Sequence, residues 1–248
     1  MMKPSSLAPK EEAKNFSKTM QPSSRRKSTI EISGGNVAVV CRFRPLNEKE
    51  KNMKQNKICP RFKDQKTVEI PNTRGVKDGG KSGLLKFNFD RVFDMDAEQA
   101  DIYEVAALPI IQSVFEGFNG TIFAYGQTSS GKTHTMQGPD IGDEVSKGII
   151  PRIVSYIFEQ IDEASESIEF TIKVSMIEIY MERIRDLLDP KKINLQVHED
   201  KEKGIFIGDV TETYVTETYE VYQIMKLGNE NRSIGVTDMN KQSSRSHS

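Results

Sequence analysis

The chain of 248 residues is 36% apolar and 29% charged, which is typical of a globular protein with one large core or two modest ones. Its formal net charge of −1 gives no overall basic bias, so we predict no nucleic-acid partner. The two cysteines, Cys41 and Cys59, exclude a disulfide framework, and the three histidines are too far apart in the chain to suggest a zinc site. Because neither a secretory leader nor an apolar run of about 18 residues is present, we expect an intracellular protein without membrane insertion.

Residues 1–35 are rich in serine, lysine, proline and glutamate and contain few large apolar side chains. Such a segment cannot bury enough apolar surface to offset the entropy lost on ordering, so we predict a disordered polar tail. The run RRKS at 25–28 within this tail has two interpretations, a solvated charge cluster or a phosphorylation site.

From residue 36 onward, apolar patterns predict strands and helices that intermix along the chain, which indicates an α/β domain over 36–248. Strands are predicted at 37–41, 84–93 with an internal turn, 121–125 and 170–180, with a hairpin-like pair at 194–197 and 204–210. Helices are predicted at 96–115 with a kink at Pro109, 148–161, 181–188 and 217–231, and the lysine-rich residues 46–66 are predicted to be loop.

One motif in this domain carries recognisable chemistry. The stretch 126–133 matches the pattern G-x-x-x-x-G-K-[ST] in full, follows an apolar strand and precedes a helix start. This order of strand, loop and helix is the one that a phosphate-binding loop requires. The motif consists of Gly126, Gln127, Thr128, Ser129, Ser130, Gly131, Lys132 and Thr133.

The residue types of this motif suit a nucleotide bound together with Mg²⁺. Gly126 and Gly131 permit backbone turns that direct N–H groups at phosphate oxygens. Lys132 supplies positive charge for the β- and γ-phosphates, and the Thr133 hydroxyl is a hard oxygen ligand for Mg²⁺. The motif does not identify the function of the protein, because kinases, GTPases and motors share it. A nucleotide kinase or GTPase is a weak alternative, because the chain has no acceptor lid and no guanine-reading Asn-Lys-x-Asp motif.

Six stretches, in order along the chain, resemble the kinesin motor domain. They are CRFRPLN at 41–47, FDRVF at 89–93, YGQTSSGKTHTM at 125–136, GIIPR at 148–152, EIY with IRDLL within 178–188, and NKQSSRSH at 240–247. The segments SSGKT at 129–133 and VHEDK at 197–201 are similar to the conventional heavy-chain branch of that family. The resemblance covers 36–248 and implies a P-loop NTPase fold, a central mixed sheet with helices on both faces.

The resemblance also implies roles in adenine binding. Arg42, Arg44 and Pro45 would flank the adenine of ATP, with His134 on its other side. Guanidinium and imidazole planes stack well on a purine, which agrees with this assignment. Without the resemblance, the two arginines would be interpreted as surface charges at a strand end and His134 as a polar helix position.

The family's first switch loop resembles the serine-rich segment near the end of the sequence. Ser243 and Ser244 would contact the γ-phosphate and Mg²⁺, with Ser244 joining Thr133 as a metal ligand, and Arg245 would pair with a glutamate of the second switch. With Lys132, these three residues form the predicted catalytic set. Taken alone, the segment would be interpreted as a linker.

The resemblance implies ATP hydrolysis coupled to movement on microtubules, with tubulin as partner and a location on the cytoplasmic cytoskeleton. The family's second switch, an Asp-Leu-Ala-Gly type segment, follows the first and does not occur within residues 1–248. We therefore expect a motor domain truncated after the first switch loop, with exposed strand edges, poor folding and weak turnover. The alternative is a non-hydrolysing fragment of kinesin-like fold that binds a nucleotide or a partner. The sequence contains no heptad run from which dimerisation could be inferred.

Overall fold

The computed structural model describes residues 37–53, 58–72, 83–201, 204–237 and 246–248, with the backbone alone for 233–237. The predicted tail at 1–35 lies outside the described residues, and so do Ser243, Ser244 and Arg245. Within the described ranges, no helix combines the length and the apolar character needed to cross a bilayer.

Short strands and helices alternate along the described chain. The strands are β1 Val40–Arg42, β2 Arg61–Phe62, β3 Thr67–Pro71, β4 Leu84–Asn88, β5 Arg91–Phe93, β6 Ile172–Val174, β7 Ile177–Tyr180, β8 Arg183–Asp186, β9 Ile193–Leu195, β10 Val197–Asp200, β11 Gly204–Ile207 and β12 Thr213–Val215. The helices are α1 Glu48–Lys51, α2 Gln99–Ile102, α3 Leu108–Phe115, α4 Lys132–Met136, α5 Ile149–Asp162 and α6 Thr218–Thr237.

Strand pairing is mixed, with one parallel pair and several antiparallel ones among the described residues. Strand β1 lies parallel to β5, with Val40 opposite Arg91. The remaining ladders are antiparallel and join β2, β3 and β4, then β7, β8 and β9, then β10 and β11, and finally β6 and β12. The predicted α/β character and the helices at α5 and α6 are confirmed. The predicted hairpin between 194–197 and 204–210 is correct for its second strand only, because β11 pairs with β10 at Val197–Asp200, whereas β9 at Ile193–Leu195 pairs with β8.

Helix α5 contributes to two apolar cores. One core is built by Phe93, Ile102, Ala107 and Ile149. The other is built by Val154, Val215, Val221, Ile224 and Met225. Because Ile149 and Val154 belong to different cores, α5 is held from two sides. It follows the segment 137–148 that leaves α4, and the Gly148 amide at its start donates to the Gln137 carbonyl at 3.0 Å.

Residues 121–125 do not form the predicted strand, although four of the five are apolar. Phe123 is 77% exposed and Tyr125 is 96% exposed. Within the described part of the chain, no backbone hydrogen bond joins this segment to a neighbouring strand. The prediction was wrong here because apolar alternation supplies the side chains of a strand, whereas a strand also needs a hydrogen-bonded neighbour.

Two predictions near the start of the domain require correction. The first strand lies at Val40–Arg42 rather than 37–41, and Val37 and Val39 are 69% and 51% exposed. The predicted loop at 46–66 contains α1 and β2. Helix α1 forms because Asn47 and Glu50 make a capping box, with Asn47 Oδ1 accepting from the Glu50 backbone at 2.8 Å.

The predicted helix at 96–115 begins at Gln99 and is interrupted before Pro109, as expected. A π-helical turn at Tyr103–Ala107 separates α2 from α3, and the Leu108 amide donates to the Tyr103 carbonyl. Pro109 is the second residue of α3 and directly follows this turn. Helical residues run without a gap from Gln99 to Phe115, so the π-helical turn accommodates the N–H that Pro109 lacks.

The predicted long strand at 170–180 and the predicted helix at 181–188 were both wrong. Strands β6 and β7 are separate and belong to different ladders. Residues 183–186 form β8, which pairs with β7 in a hairpin that places Tyr180 opposite Arg183. The turn residues Met181 and Glu182 have φ of 49° and 59°. Left-handed backbone at both positions is the geometry of a two-residue hairpin, which neither side chain signals.

Candidate nucleotide-binding site

The loop between residues 125 and 132 turns sharply before α4. Ser129 and Gly131 have left-handed φ of 65° and 102°, and Gly126 has φ of 157°. A Cβ at Gly126 would lie 2.6 Å from Ser130 Oγ, and a side chain at Gly131 would strain the backbone that begins α4. Both glycines of the motif are therefore required by the loop, as predicted.

The Lys132 side chain extends from the start of α4 back across this loop. Its Nζ donates to the Gly126 carbonyl at 2.8 Å and to the Gln127 carbonyl at 2.9 Å. Both acceptors are neutral, so they hold the ammonium group over the loop without cancelling its charge. Because α4 has only five residues, its dipole is small and Lys132 is the main positive charge of the loop.

The remaining loop residues are accessible. Gln127, Thr128 and Thr133 are exposed, and Ser130 is half-buried. An exposed Thr133 hydroxyl directly after Lys132 suits its predicted role as a Mg²⁺ ligand.

Arg44, which lies outside the motif, holds the phosphate-binding loop in place. Its Nε donates to the Ser129 carbonyl at 2.8 Å, and its two terminal nitrogens bind the Glu50 carboxylate at 2.6 Å each. The hydrogen bond from Arg44, followed by that from the Asn47 backbone, lowers the pKa of Glu50 to about 2. These bonds lie in the guanidinium plane, so they leave the flat face of Arg44 suited to stacking on a purine. Pro45 is exposed, and its carbonyl accepts from Arg44 at 3.0 Å.

Arg42 does not contact the loop. Its Nη1 donates to Gln99 Oε1 at 2.7 Å and to Thr135 Oγ1 at 3.0 Å. Burial lowers the pKa of Arg42. His134 lies beside it on α4, where partial burial and then the charge of Arg42 lower the pKa of the imidazole. The structure thus brings Arg42 and His134 to one side of α4, through Thr135.

A partly buried ionic cluster anchors the last residues of the predicted switch loop. His247 and Ile179 exchange backbone hydrogen bonds of 2.7 and 2.9 Å. Arg232, on α6, donates to the Ser246 carbonyl at 3.1 Å and to Ser248 Oγ at 2.7 Å. The buried Glu178 carboxylate binds Arg185 and lies 3.6 Å from Arg232 Nε. Although Ser243–Arg245 are not described, the chain immediately after them is tied to β7 and α6.

Sequence reasoning missed three residues at this site. Glu50 was assigned to a loop, although its spacing from Asn47 was the signature of a capping box. Gln99 and Arg232 gave no local signal. The partners of Gln99 lie 35 to 57 positions away in the sequence, and those of Arg232 lie 14 to 54 positions away. Contacts over such separations are not encoded in any short motif.

The glycine-restricted loop, Lys132 across it and the helix that follows define a P-loop protein whose site suits nucleoside phosphates. A family model described as "Kinesin motor domain" matches residues 42–248. The chain belongs to this family.

Relatives support the heavy-chain branch suggested by the sequence. The chain is 48% identical over 218 residues to a kinesin heavy chain of Syncephalastrum racemosum, covering 88% of this chain and 22% of that one. It is 49% identical over 213 residues to a kinesin heavy chain of Strongylocentrotus purpuratus, covering 86% and 19%. It is also 49% identical over 215 residues to one of Drosophila melanogaster, covering 86% and 21%. The chain therefore spans about a fifth of the length of these curated relatives.

A solved structure described as a fast kinesin, with implications for ATPase mechanism and interactions with microtubules, is similar with a TM-score of 0.76. It is 42% identical, and the match covers 85% of this chain and 57% of that one. The predicted fold class, a kinesin-type P-loop fold, is confirmed. The nucleotide-kinase and GTPase alternatives are set aside by the family assignment.

Proposed function

We propose that the protein binds ATP with Mg²⁺ at residues 126–133 and forms the nucleotide-hydrolysing part of a microtubule motor on the cytoplasmic cytoskeleton. The observation that carries the proposal is the Lys132 ammonium, held by two neutral carbonyls over a loop of the required geometry. Membership of the kinesin motor domain family and the similarity to a solved fast kinesin support extending ATPase activity and microtubule binding to this chain.

The loop residues fit a triphosphate. Lys132 would leave its carbonyl partners for phosphate oxygens, which accept stronger, charge-assisted hydrogen bonds. Arg44 would stack its free face on the adenine while Glu50 and the Ser129 carbonyl hold the guanidinium in place. Pro45 and His134 would complete the adenine side.

Hydrolysis would depend on positioning and charge, with no covalent bond to the protein. Mg²⁺, bound by Thr133 and Ser244, would neutralise charge on the phosphate oxygens. Lys132 would hold the γ-phosphate in line with water, and Ser243 and Ser244 would detect whether that phosphate is present. Arg245 would pair with an acidic residue and so couple the loop to the rest of the domain.

The test combines nucleotide binding with turnover. We expect a fluorescent ATP analogue to bind only with Mg²⁺, and phosphate release to accelerate when microtubules are added. Lys132→Ala removes one charged donor and should weaken binding about 10- to 100-fold. Lys191→Ala, at an exposed lysine, is the matched control and should leave the affinity unchanged. Equal affinity of the Lys132→Ala variant and the unsubstituted protein would refute the proposal.

A non-hydrolysing nucleotide-binding role is the second candidate. It is kept because the described residues carry the nucleotide-binding loop, whereas Ser243, Ser244 and Arg245, which would assist hydrolysis, lie outside the described residues. Mg²⁺-dependent binding without microtubule-stimulated phosphate release would select this role over the motor.

A further inference from the structure

Gln99 is a buried amide whose polar atoms all have partners. It is the first residue of α2 and is 6% exposed. Its Oε1 accepts from Arg42 at 2.7 Å, while its Nε2 donates to the carbonyls of His134 at 2.7 Å and Ser146 at 3.0 Å. One acceptor and two donors are thus used, so the orientation of the amide is determined by its surroundings.

These three bonds fix the far end of α4. The helix ends at Met136, so the amide that would pair with the His134 carbonyl in a longer helix lies beyond it. Gln99 supplies the missing donor, and its second donor holds the segment that leads into α5. The Gly148 amide reinforces the same junction by donating to the Gln137 carbonyl at 3.0 Å. Loss of the Gln99 amide would therefore release the helix end that carries His134.

The third hydrogen bond, from Arg42 to Gln99, leaves the positive charge of Arg42 without a neutralising partner. Arg42 is half-buried, and both of its side-chain partners, Gln99 and Thr135, are neutral. Within the described residues, no carboxylate forms an ion pair with Arg42. A neutral acceptor orients the guanidinium without cancelling its charge, whereas a carboxylate at the same position would cancel it.

We propose that Gln99 is a positioning residue of the nucleotide site, whose neutral amide orients Arg42 and the His134 end of α4 and leaves the charge of Arg42 available to a bound nucleotide. This inference rests on the proposed function, since it assigns these two groups to the nucleotide. Gln99 acts through them and has no contact of its own with the reacting atoms.

Three variants separate the parts of this role. Gln99→Glu keeps size and the contact with Arg42 but loses both donors and adds a neutralising charge. Gln99→Met keeps length and removes all three bonds while leaving Arg42 charged. Thr135→Val removes the other acceptor of Arg42 and leaves Gln99 in place.

Three quantities are measured for each variant. They are the Kd of the fluorescent ATP analogue with Mg²⁺, the thermal midpoint, and the rate of amide exchange at Gly148 without nucleotide. We expect Gln99→Glu to weaken ATP binding about tenfold, since one charged contact to the nucleotide is lost. Gln99→Met should speed exchange at Gly148 and weaken ATP binding less than Gln99→Glu does, because Arg42 stays charged. Thr135→Val should change Kd about threefold at most, because Arg42 keeps its bond to Gln99.

Two results would overturn the inference. One is a Kd of Gln99→Glu that equals the Kd of the unsubstituted protein. The other is a loss of affinity that follows the thermal midpoint equally in all three variants, which would make Gln99 merely structural. Failure of the proposed function is distinguishable, because the unsubstituted protein would then show no Mg²⁺-dependent binding at all.

Discussion

Replacing Asp186 by asparagine should lower the free energy of unfolding by about 2–4 kcal/mol, because one buried oxygen acceptor becomes a donor. Asp186 is fully buried, at 0% exposure. One carboxylate oxygen accepts from the backbone amides of Leu188 at 2.7 Å and Asp189 at 3.1 Å. The other accepts from the Thr211 amide at 2.6 Å, which ties the end of β8 to the chain before β12.

The magnitude follows from these three bonds. An asparagine can turn its single oxygen toward Leu188 and Asp189, but its NH₂ group then faces the Thr211 amide, so two buried donors lack an acceptor. Each such donor costs about 1–3 kcal/mol, and partial relaxation of the loop reduces the sum. The expected loss of about 2–4 kcal/mol is a large part of the total stability of an ordinary domain.

The charge of Asp186 also gives a pH dependence with a definite sign. Burial raises the pKa of this carboxyl, but the hydrogen bonds from Thr211, Leu188 and Asp189 outweigh it, so the net pKa is lowered from 3.8. A lowered pKa contributes stability that is present above about pH 4 and is lost as the pH falls through the folded-state value. The Asp186→Asn variant should lack this part of the acid-induced destabilisation.

Urea unfolding followed by circular dichroism, at pH 7 and pH 3, measures both effects. Asp209→Asn is the matched control, because Asp209 is exposed and its φ of 59° is one that asparagine tolerates well. That control should change the free energy of unfolding by less than about 0.5 kcal/mol. A loss below about 0.5 kcal/mol for Asp186→Asn at pH 7 would refute the reasoning about its buried bonds.

Three further outcomes are expected. Glu50 has a pKa of about 2, so its pairing with Arg44 persists above about pH 4 and is lost as the pH falls toward 2. Glu50→Gln should weaken ATP-analogue binding about two- to fivefold at pH 7. Unchanged affinity would show that the pairing of Glu50 with Arg44 does not position the loop. Glu178→Ala should lower the free energy of unfolding by about 3 kcal/mol, because the partly buried charges of Arg185 and Arg232 lose their carboxylate partner, and a loss under about 1 kcal/mol in urea unfolding would contradict this. The double variant Met181→Asn with Glu182→Gly should raise the stability of the protein by about 1–2 kcal/mol by relieving left-handed strain, and no gain in the urea midpoint would show that the turn is unstrained.

Features that depend on a few consecutive residues were predictable from the sequence. The glycine requirement at Gly126 and Gly131 follows from the motif, and the structure shows it in the backbone angles. The break at Pro109 and the two long helices were predictable for the same reason, since a missing N–H and helical periodicity act over one or two turns. The order of short motifs likewise sufficed to indicate the family that the comparisons show.

Strand assignments failed where the outcome depended on a partner strand. Apolar alternation over 170–180 could not reveal that β6 and β7 enter different ladders. The pattern at 181–188 suits a helix, yet pairing of β8 with β7 stabilises two left-handed turn residues that the chain alone would avoid. Residues 121–125 show the converse, because a strand-like pattern forms no strand without a neighbour.

The sequence by itself determined the family, the phosphate-binding loop and the residues that resemble a nucleotide site, because these reside in contiguous motifs whose chemistry is local. Only the tertiary structure showed how those residues are held. Glu50 fastens Arg44 to the loop, Gln99 joins Arg42 to α4, and Arg232 ties the last described residues to the fold. Such bonds form between side chains brought together by packing, so their partners are set by the folded arrangement and cannot be identified from spacing in the sequence.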